Sequence, residues 1–351
     1  MKNIFGLFEQ EIEEEIKPYG LEPYRAGQIA AWIYRQGKQC FEDMTNLSRQ
    51  KRELLAAHFS VQTVTTVASR VSGDGKTSKF LLSYPDGAAV ETVLMRQPYG
   101  NSVCISTQVG CAMGCIFCAS TLRGVTRNLA GGEILAQVLF IQNQLAREQC
   151  GVDSIVIMGS GEPLANYENV LRFMRLCHEP YCLNMSYRNI TLSTSGIVPE
   201  IYKLAAEKLP VTLSISLHAP NNDLRSQLMP VNRSYSIADV MAAADYYTEV
   251  TGRRVTYEYI LIAGLNDRPE HARQLASLIK GRIANVNLIP VNPVPERGLL
   301  RPDDETIERF FAVMKKQKVN TTIRREMGVD IQAACGQLRH ELLAKQLDNF
   351  D

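Results

Sequence analysis

The sequence predicts an α/β protein: an open barrel of six parallel βα units carried with a helical N-terminal region. Three observations predict it. Strand-like and helix-like segments alternate from about Asn101 onward, the first sixty residues show helical periodicity, and the hydrophobic period switches to two between them. A doubly wound sheet is the weaker reading of the same alternation. The divisions that follow are 1–60, a helical accessory domain; 61–97, a small β linker region bridging two parts; and 98–351, the core.

Each element has its own signal. "YRAGQIAAWIYRQG" sets Ile29, Trp32 and Ile33 on one helical face, with Arg25 and Arg35 among the polar positions. "SRQKRELLAAHF" follows, with Ser48 as its expected N-cap. From about Val61 to Gln97 strand formers dominate, as in "KTSKFLLSYPDGAAVETVLM", and Gly73-Asp74-Gly75 and Pro85-Asp86-Gly87 supply turns. Beyond Asn101 the candidate strands are "SVCIST", "SIVIMGSG", "NITLSTSG", "VTLSISLHA", "RVTYEYILI" and "NVNLIPVNP". Amphipathic runs such as "GGEILAQVLFIQNQLAREQ" and "IADVMAAADYYTEVTG" lie between them. In βα barrels chemistry gathers at the C-terminal strand ends, so the residues that follow these strands are the site candidates.

Composition narrows the class. With 45% apolar and 21% charged residues among 351, the chain is ordinary globular protein. It holds no run of eighteen apolar residues, and its start lacks a signal peptide's apolar centre, so a cytoplasmic protein without membrane contact is expected. A net charge of +1 announces no polyanionic partner globally; a nucleic-acid surface has to be a local patch. Nine cysteines, an odd number and clustered, argue against a secreted disulfide framework and for metal or redox chemistry.

Four of them fall in "CISTQVGCAMGCIFCAS". Cys111, Cys115 and Cys118 are spaced C-x3-C-x2-C directly after the first core strand, and Cys104 stands seven residues upstream. A structural zinc normally draws on two C-x2-C-like pairs. No second pair exists here, since Cys150, Cys177 and Cys182 sit in or beside other elements. A 4Fe-4S cube normally takes four thiolates. Three leave one iron open, the arrangement that reductive cleavage of S-adenosylmethionine requires.

C-x3-C-x2-C after the first strand of a parallel βα domain resembles the radical S-adenosylmethionine superfamily. Seven blocks in order narrow the likeness: "ETVLM", "GNSVCISTQVGCAMGCIFCAS", "IVIMGSGEPLANYENV", "ITLSTSGIVP", "ISLHAPNNDLRSQLMPVN", "NLIPVNPVPERG" and "TIRREMGVDIQAACGQL". Together they resemble the dual-specificity 23S rRNA/tRNA adenine-C2 methyltransferases (RlmN), over nearly the whole chain. The resemblance implies methylation of carbon 2 of adenosine in the peptidyl transferase centre of 23S rRNA and 3′ of the anticodon in tRNA. Adenine carbon 2 is electron-poor and will not attack an electrophilic methyl group, so radical addition replaces polar transfer, with the cofactor supplying the hard step. In the implied sequence one S-adenosylmethionine methylates a cysteine. A second is cleaved to a 5′-deoxyadenosyl radical that takes hydrogen from the methylthioether, so two are consumed per methylation. The methylene radical adds to adenine, joining protein and RNA covalently, and a second cysteine resolves the adduct, ending in a disulfide.

By this resemblance Cys111, Cys115 and Cys118 hold one 4Fe-4S cluster per chain, Cys335 of "DIQAACGQL" carries the methyl group and Cys104 resolves the adduct. Without it, Cys335 reads as a small packed residue near a helix start. Glu91 matches the family's proton acceptor; its plain alternative is a solvated strand glutamate. Gly161 and Glu162 of "GSGEP", Ser193, Ser216-Leu217-His218 and Asn292 match S-adenosylmethionine contacts, each at a predicted strand end. The glycine-rich turn is read as letting backbone approach a ligand, and Glu162 as accepting from the methionyl ammonium.

RNA contact is expected through shape-led recognition of a loop, with the target adenosine unstacked. Basic candidates are Arg25, Lys38, Lys51, Arg52 and the pairs Arg253-Arg254 and Arg324-Arg325, against the plain reading of solvated surface charge. Further expectations are a reductant such as flavodoxin or ferredoxin and a monomeric state. The nearest alternative is a Cfr-like adenosine carbon-8 rRNA methyltransferase, which shares the cluster and both extra cysteines. A zinc-stabilised RNA-binding module is the alternative of another class.

Overall fold

The computed structural model describes residues 1–325 and 327–338. Glu326 and residues 339–351, the tail of the expected core, lie outside the described residues.

Helices α1 (Glu9–Ile16), α2 (Arg25–Ala30) and α3 (Arg49–His58) form over the first sixty residues. Their apolar stripes meet as the periodicity requires: Ile12, Ile16, Ile29, Ile33 and Leu55 are buried. Ser48 caps α3 by accepting from the Lys51 backbone N–H at 3.4 Å. The unit is closed by a short parallel pair, β1 (Lys2–Asn3) with β2 (Phe59–Ser60), too brief to show in the sequence. It docks on the core through Arg172, whose guanidinium donates to the Gly6 carbonyl at 3.0 Å and to Glu11 at 2.9 Å.

β3 (Thr65–Val71), β4 (Thr77–Ser83), β5 (Ala89–Gln97) and β6 (Gly100–Cys104) form an antiparallel meander. The segment read as a linker therefore continues the main sheet: the boundary at residues 97/98 falls inside the β5–β6 hairpin. A small antiparallel pair, β7 (Gln108–Gly110) with β8 (Val125–Asn128), stands off this sheet.

β9 (Ser154–Ile157), β10 (Ile190–Thr194), β11 (Thr212–Ser216), β12 (Val255–Leu261), β13 (Ala284–Pro290) and β14 (Thr321–Ile323) then run parallel beside β6. The whole sheet reads β14-β13-β12-β11-β10-β9-β6-β5-β4-β3 and stays open. All six expected parallel strands are present, and the short β14 is added at the edge. Helices α4 (Gly131–Ala146), α5 (Tyr167–His178), α6 (Val198–Ala206), α7 (Asn222–Leu228), α8 (Ile237–Thr251), α9 (Pro269–Ile279) and α10 (Asp304–Lys316) connect successive parallel strands. Alternation divides each strand. Leu192, Leu213, Ile215, Tyr259 and Leu288 join the helix-packed core, with the Tyr259 ring 5.2 Å from Phe310 of α10. Ser193, Ser214, Ser216, Glu258 and Asn287 form the alternate, polar set. Glu258 accepts from Ser214 Oγ and from Asn287 Nδ2, each at 2.7 Å. Among the described residues no helix is long and apolar enough to cross a membrane.

Candidate active site

The three-cysteine loop hangs from the β7–β8 pair. Its base is closed by the Cys111 N–H donating to the Gly124 carbonyl at 2.9 Å. Gly110 makes that closure: its φ is +80°, and a Cβ there would lie 2.0 Å from the Gly124 oxygen. Inside the loop, Thr121 Oγ1 donates to the carbonyls of Cys115 and Cys118 at 3.1 and 2.9 Å, and the Arg297 guanidinium reaches Thr121 Oγ1 at 2.7 Å. Cys111, Cys115 and Cys118 line one cavity of about 150 Å³. Burial pushes all three thiols up, Cys111 to about 11.

The strand ends furnish the rest of this cavity, including Gly161, Glu162, Ser193, Ser216 and His218. Glu162 is 3% exposed, and its carboxylate accepts from the Leu164 N–H at 3.0 Å, Thr194 Oγ1 at 2.8 Å and the Ser195 N–H at 2.7 Å. Burial raises its pKa, and these bonds oppose the rise. Glu162 thus ties the end of β9 to the end of β10, with lone-pair capacity left for one further donor. The glycine turn beside it is required by protein packing. A Cβ on Gly161, whose φ is +111°, would meet Gln108 Cβ at 2.7 Å, so contact with β7 is itself a reason for glycine at this position of the cavity wall. His218 Nδ1 accepts from the Ile260 N–H at 3.0 Å, which leaves Nε2 as its protonated nitrogen. Burial, then the charge of Arg225, pushes its pKa down to about 3.

A second cavity of about 340 Å³, a volume suited to a small-molecule group, adjoins the first. Cys104 and Asn292 line it, with Tyr99 and Arg325 among its other residues. Cys335 lines both cavities, as do Met158, Ile289 and Arg324. The Cys335 carbonyl accepts from Asn292 Nδ2 at 3.1 Å, and the next residue's carbonyl accepts from the Ala119 N–H at 2.8 Å. The cluster-type loop and the Cys335 loop are therefore stitched together. Cys104 is buried, which pushes its thiol up to about 12, with Cys335 the next cause. Both are free thiols; no bond joins them.

Several expected residues fall elsewhere. Asn292 faces the second cavity, because its amide is spent on Cys335. Leu217 is fully buried outside both linings, its N–H bonded to the Glu258 carbonyl and its own carbonyl to Arg225. Glu91 is 7% exposed and lies outside both linings, 2.8 Å from Lys79 Nζ. Among the basic candidates, Lys51 pairs with Glu22 at 2.5 Å and Lys38 with Asp43 at 3.5 Å. Arg253 donates to Thr212 Oγ1 at 3.0 Å, at the strand ends opposite the site. Arg324, read as a surface charge, is half-buried between the two cavities, where Cys335 is the first cause raising its pKa. Met158 and Glu258 were not foreseen as lining residues; both continue strand segments whose alternation points them inward.

An open parallel βα barrel with three thiols in the loop after its first parallel strand, and a Gly-Glu turn after its second, defines a radical S-adenosylmethionine protein. The comparisons agree. Residues 105–276 match the radical SAM superfamily model, and residues 2–61 match the ribosomal RNA large subunit methyltransferase N-terminal domain. A probable dual-specificity RNA methyltransferase RlmN of Desulforamulus reducens is 52% identical over 343 residues, 98% of this chain and 97% of that one. Its counterpart in Bacillus licheniformis is 51% identical over 337 residues, 96% and 93% of the two chains. The crystal structure of a radical SAM methyltransferase from Sphaerobacter thermophilus superposes with a TM-score of 0.93 at 45% identity, covering 97% of this chain and 99% of that one. The chain belongs to the RlmN family of dual-specificity RNA methyltransferases. It is an S-adenosylmethionine-dependent RNA methyltransferase of radical mechanism, and the carbon-8 alternative is not favoured.

Membership implies a 4Fe-4S cluster and S-adenosylmethionine. The residues fit the cluster. Three thiols, those of buried Cys111 and Cys115 and half-buried Cys118, line one cavity, yet among the described residues no three His, Cys, Asp or Glu side chains are close enough to hold a single metal ion. Thiols spread around a cavity suit a multi-iron cube better than one zinc.

Proposed function

We propose that Cys335 is the methyl carrier for carbon 2 of adenosine, that Cys104 resolves the RNA adduct, and that the two cavities hold cofactor and target base respectively. The observation that carries this is the position of Cys335 at the wall common to both. In this reading Cys111, Cys115 and Cys118 hold the cluster. The bound cluster and S-adenosylmethionine supply methyl transfer and hydrogen abstraction. Glu162, Ser193, Ser216 and neutral His218 hold the cofactor, with Gly161 shaping the turn, and Glu162 accepts a donor from it. Asn292 contributes indirectly, by fixing the Cys335 backbone.

The thiol of Cys335 loses its proton as its sulfur takes the first methyl group. Arg324 lines the wall of both cavities together with Cys335. Carbon 2 of the adenine bonds to the carrier's methylene carbon, and Glu91 takes the proton that carbon 2 gives up. Cys104 sulfur then bonds to Cys335 sulfur as the sulfur–carbon bond breaks; the Cys104 proton passes to the released carbon and completes the methyl group. The electron left over from radical addition would be taken up by the cluster that Cys111, Cys115 and Cys118 would hold, and the disulfide remains for a reductant to reopen. Tyr99, 81% exposed at the second cavity, and exposed Arg325 offer stacking and phosphate contact where an unpaired RNA loop enters. The accessory domain 1–60 adds shape recognition of 23S rRNA and tRNA. The chain works as a cytoplasmic monomer, with flavodoxin or ferredoxin as electron donor.

Nucleoside mass spectrometry of rRNA and tRNA treated with anaerobically reconstituted protein tests this. 2-Methyladenosine from both RNAs is expected; 8-methyladenosine, or no product with reduced cluster present, contradicts it.

A further inference from the structure

The sheet face beneath the Cys335 loop carries more than its cysteine. Lys79 on β4 stands opposite Val93 on β5, and Val93 opposite Cys104 on β6, so the three form one cross-strand row. Neighbouring strands lie about 4.8 Å apart, which puts Lys79 about 10 Å from Cys104. Glu91 shares the face, two residues along β5 from Val93. Segment 327–338 covers the row, with Leu338 packed against Val93 and Cys104.

Lys79 is only 6% exposed. Its Nζ lies 2.8 Å from Glu91 Oε1 and donates to the Gln332 carbonyl at 3.1 Å. Gln332, three residues before Cys335, has a φ of +54°, a left-handed backbone that a side-chain-bearing residue adopts only when its surroundings hold it there. An ammonium has three protons and no lone pair, so one Lys79 serves both acceptors at once. Downstream of Gln332, the loop is fixed by Asn292 on the Cys335 carbonyl.

We propose that Lys79 is a positioning residue that couples Glu91 to the loop presenting Cys335: one buried ammonium fixes the carboxylate and the left-handed turn together. Withdrawal of the loop removes one acceptor from Lys79, and loss of Lys79 removes one donor from the carboxylate and one from the turn at the same time. The proposal rests on the reading of Cys335 as methyl carrier and Glu91 as proton acceptor.

Amide hydrogen exchange over 330–336 in the full-length protein tests it directly, alongside RNA kinetics of the reconstituted enzyme. Lys79→Met should speed exchange there about tenfold or more, and Glu91→Gln should change it less than about twofold. Lys79→Met/Glu91→Gln, which removes both charges of the Lys79–Glu91 pair, should recover the melting temperature while exchange stays fast, so it carries the test if the single variant fails to fold. In turnover, kcat should fall about thirtyfold or more with the RNA KM within about twofold, because the chemistry and not docking depends on the loop. Wild-type exchange in both Lys79→Met variants, or equal acceleration in Glu91→Gln, overturns the proposal. Turnover by Cys335→Ala would instead sink the underlying carrier assignment and leave the exchange result standing.

Discussion

The two cavities differ in how they are built. The first takes its walls from consecutive strand ends, β9 to β13, and from one loop pinned at its base. Its polar groups are bonded to one another, as Glu162 is to Thr194 and Ser195. The second adds distant pieces to residues of β9 and β13: the antiparallel strands β5 and β6, the turn at Tyr99 and the segment around Cys335. The contrast separates tasks. A half whose polar groups are already bonded to one another suits a cofactor common to a superfamily, and a larger, composite half suits one family's substrate. Of the residues common to both, Met158, Ile289, Arg324 and Cys335, only Cys335 carries a thiol, so the account turns on its loop.

Breaking the first half alone should have the largest effect. Cys115→Ala removes one of three ligands with no spare, so iron and sulfide content should fall to background and product formation with it. Exchange protection around Cys104 should stay unchanged, which shows that the second cavity stands without the first. Gly110→Ala comes next, since its Cβ would collide with the Gly124 carbonyl. Cluster content per chain is expected to drop about tenfold, with the melting temperature lowered by several degrees, a loss of about 1–3 kcal/mol. Tyr99→Ala probes the second half. Loss of one stacked base is worth about 1–3 kcal/mol, so the RNA KM should rise about tenfold, with cluster content and kcat unaltered.

The last effect is a pH slope in stability, with no change in activity asked of it. The folded protein holds His218 neutral with a pKa of about 3, against 6.5 for the free side chain. Below pH 6.5 the unfolded chain takes a proton that the folded chain refuses. Stability from this group is therefore complete above pH 6.5 and lost as pH falls toward 3, at up to about 1.4 kcal/mol per pH unit. Urea titrations from pH 7 to 4 should show wild type losing stability more steeply than His218→Gln, by up to one proton's worth.

The same contrast explains what was legible in the sequence. The six long parallel strands and the Cys111, Cys115, Cys118 spacing are local patterns, and they could be read from neighbouring letters. β14 is three residues long and has no readable period, so Arg324, which follows it, looked like half of a surface pair. Leu217 and Asn292 do lie beyond strands, but strand position does not tell which way a side chain turns or what its amide is spent on. Lys79 and Glu91 meet because of register across β4 and β5, and neither residue type nor spacing announces that. Cys104 and Cys335 were reachable only through the family resemblance.

The central claim, that Cys335 and Cys104 perform successive and different steps, is tested most directly by a denaturing gel of protein incubated with RNA under turnover conditions. The account predicts RNA covalently retained by Cys104→Ala, which adds the carrier carbon to adenine and then stalls, and no retained RNA with Cys335→Ala. Retention by Cys335→Ala, or normal release by Cys104→Ala, would contradict it.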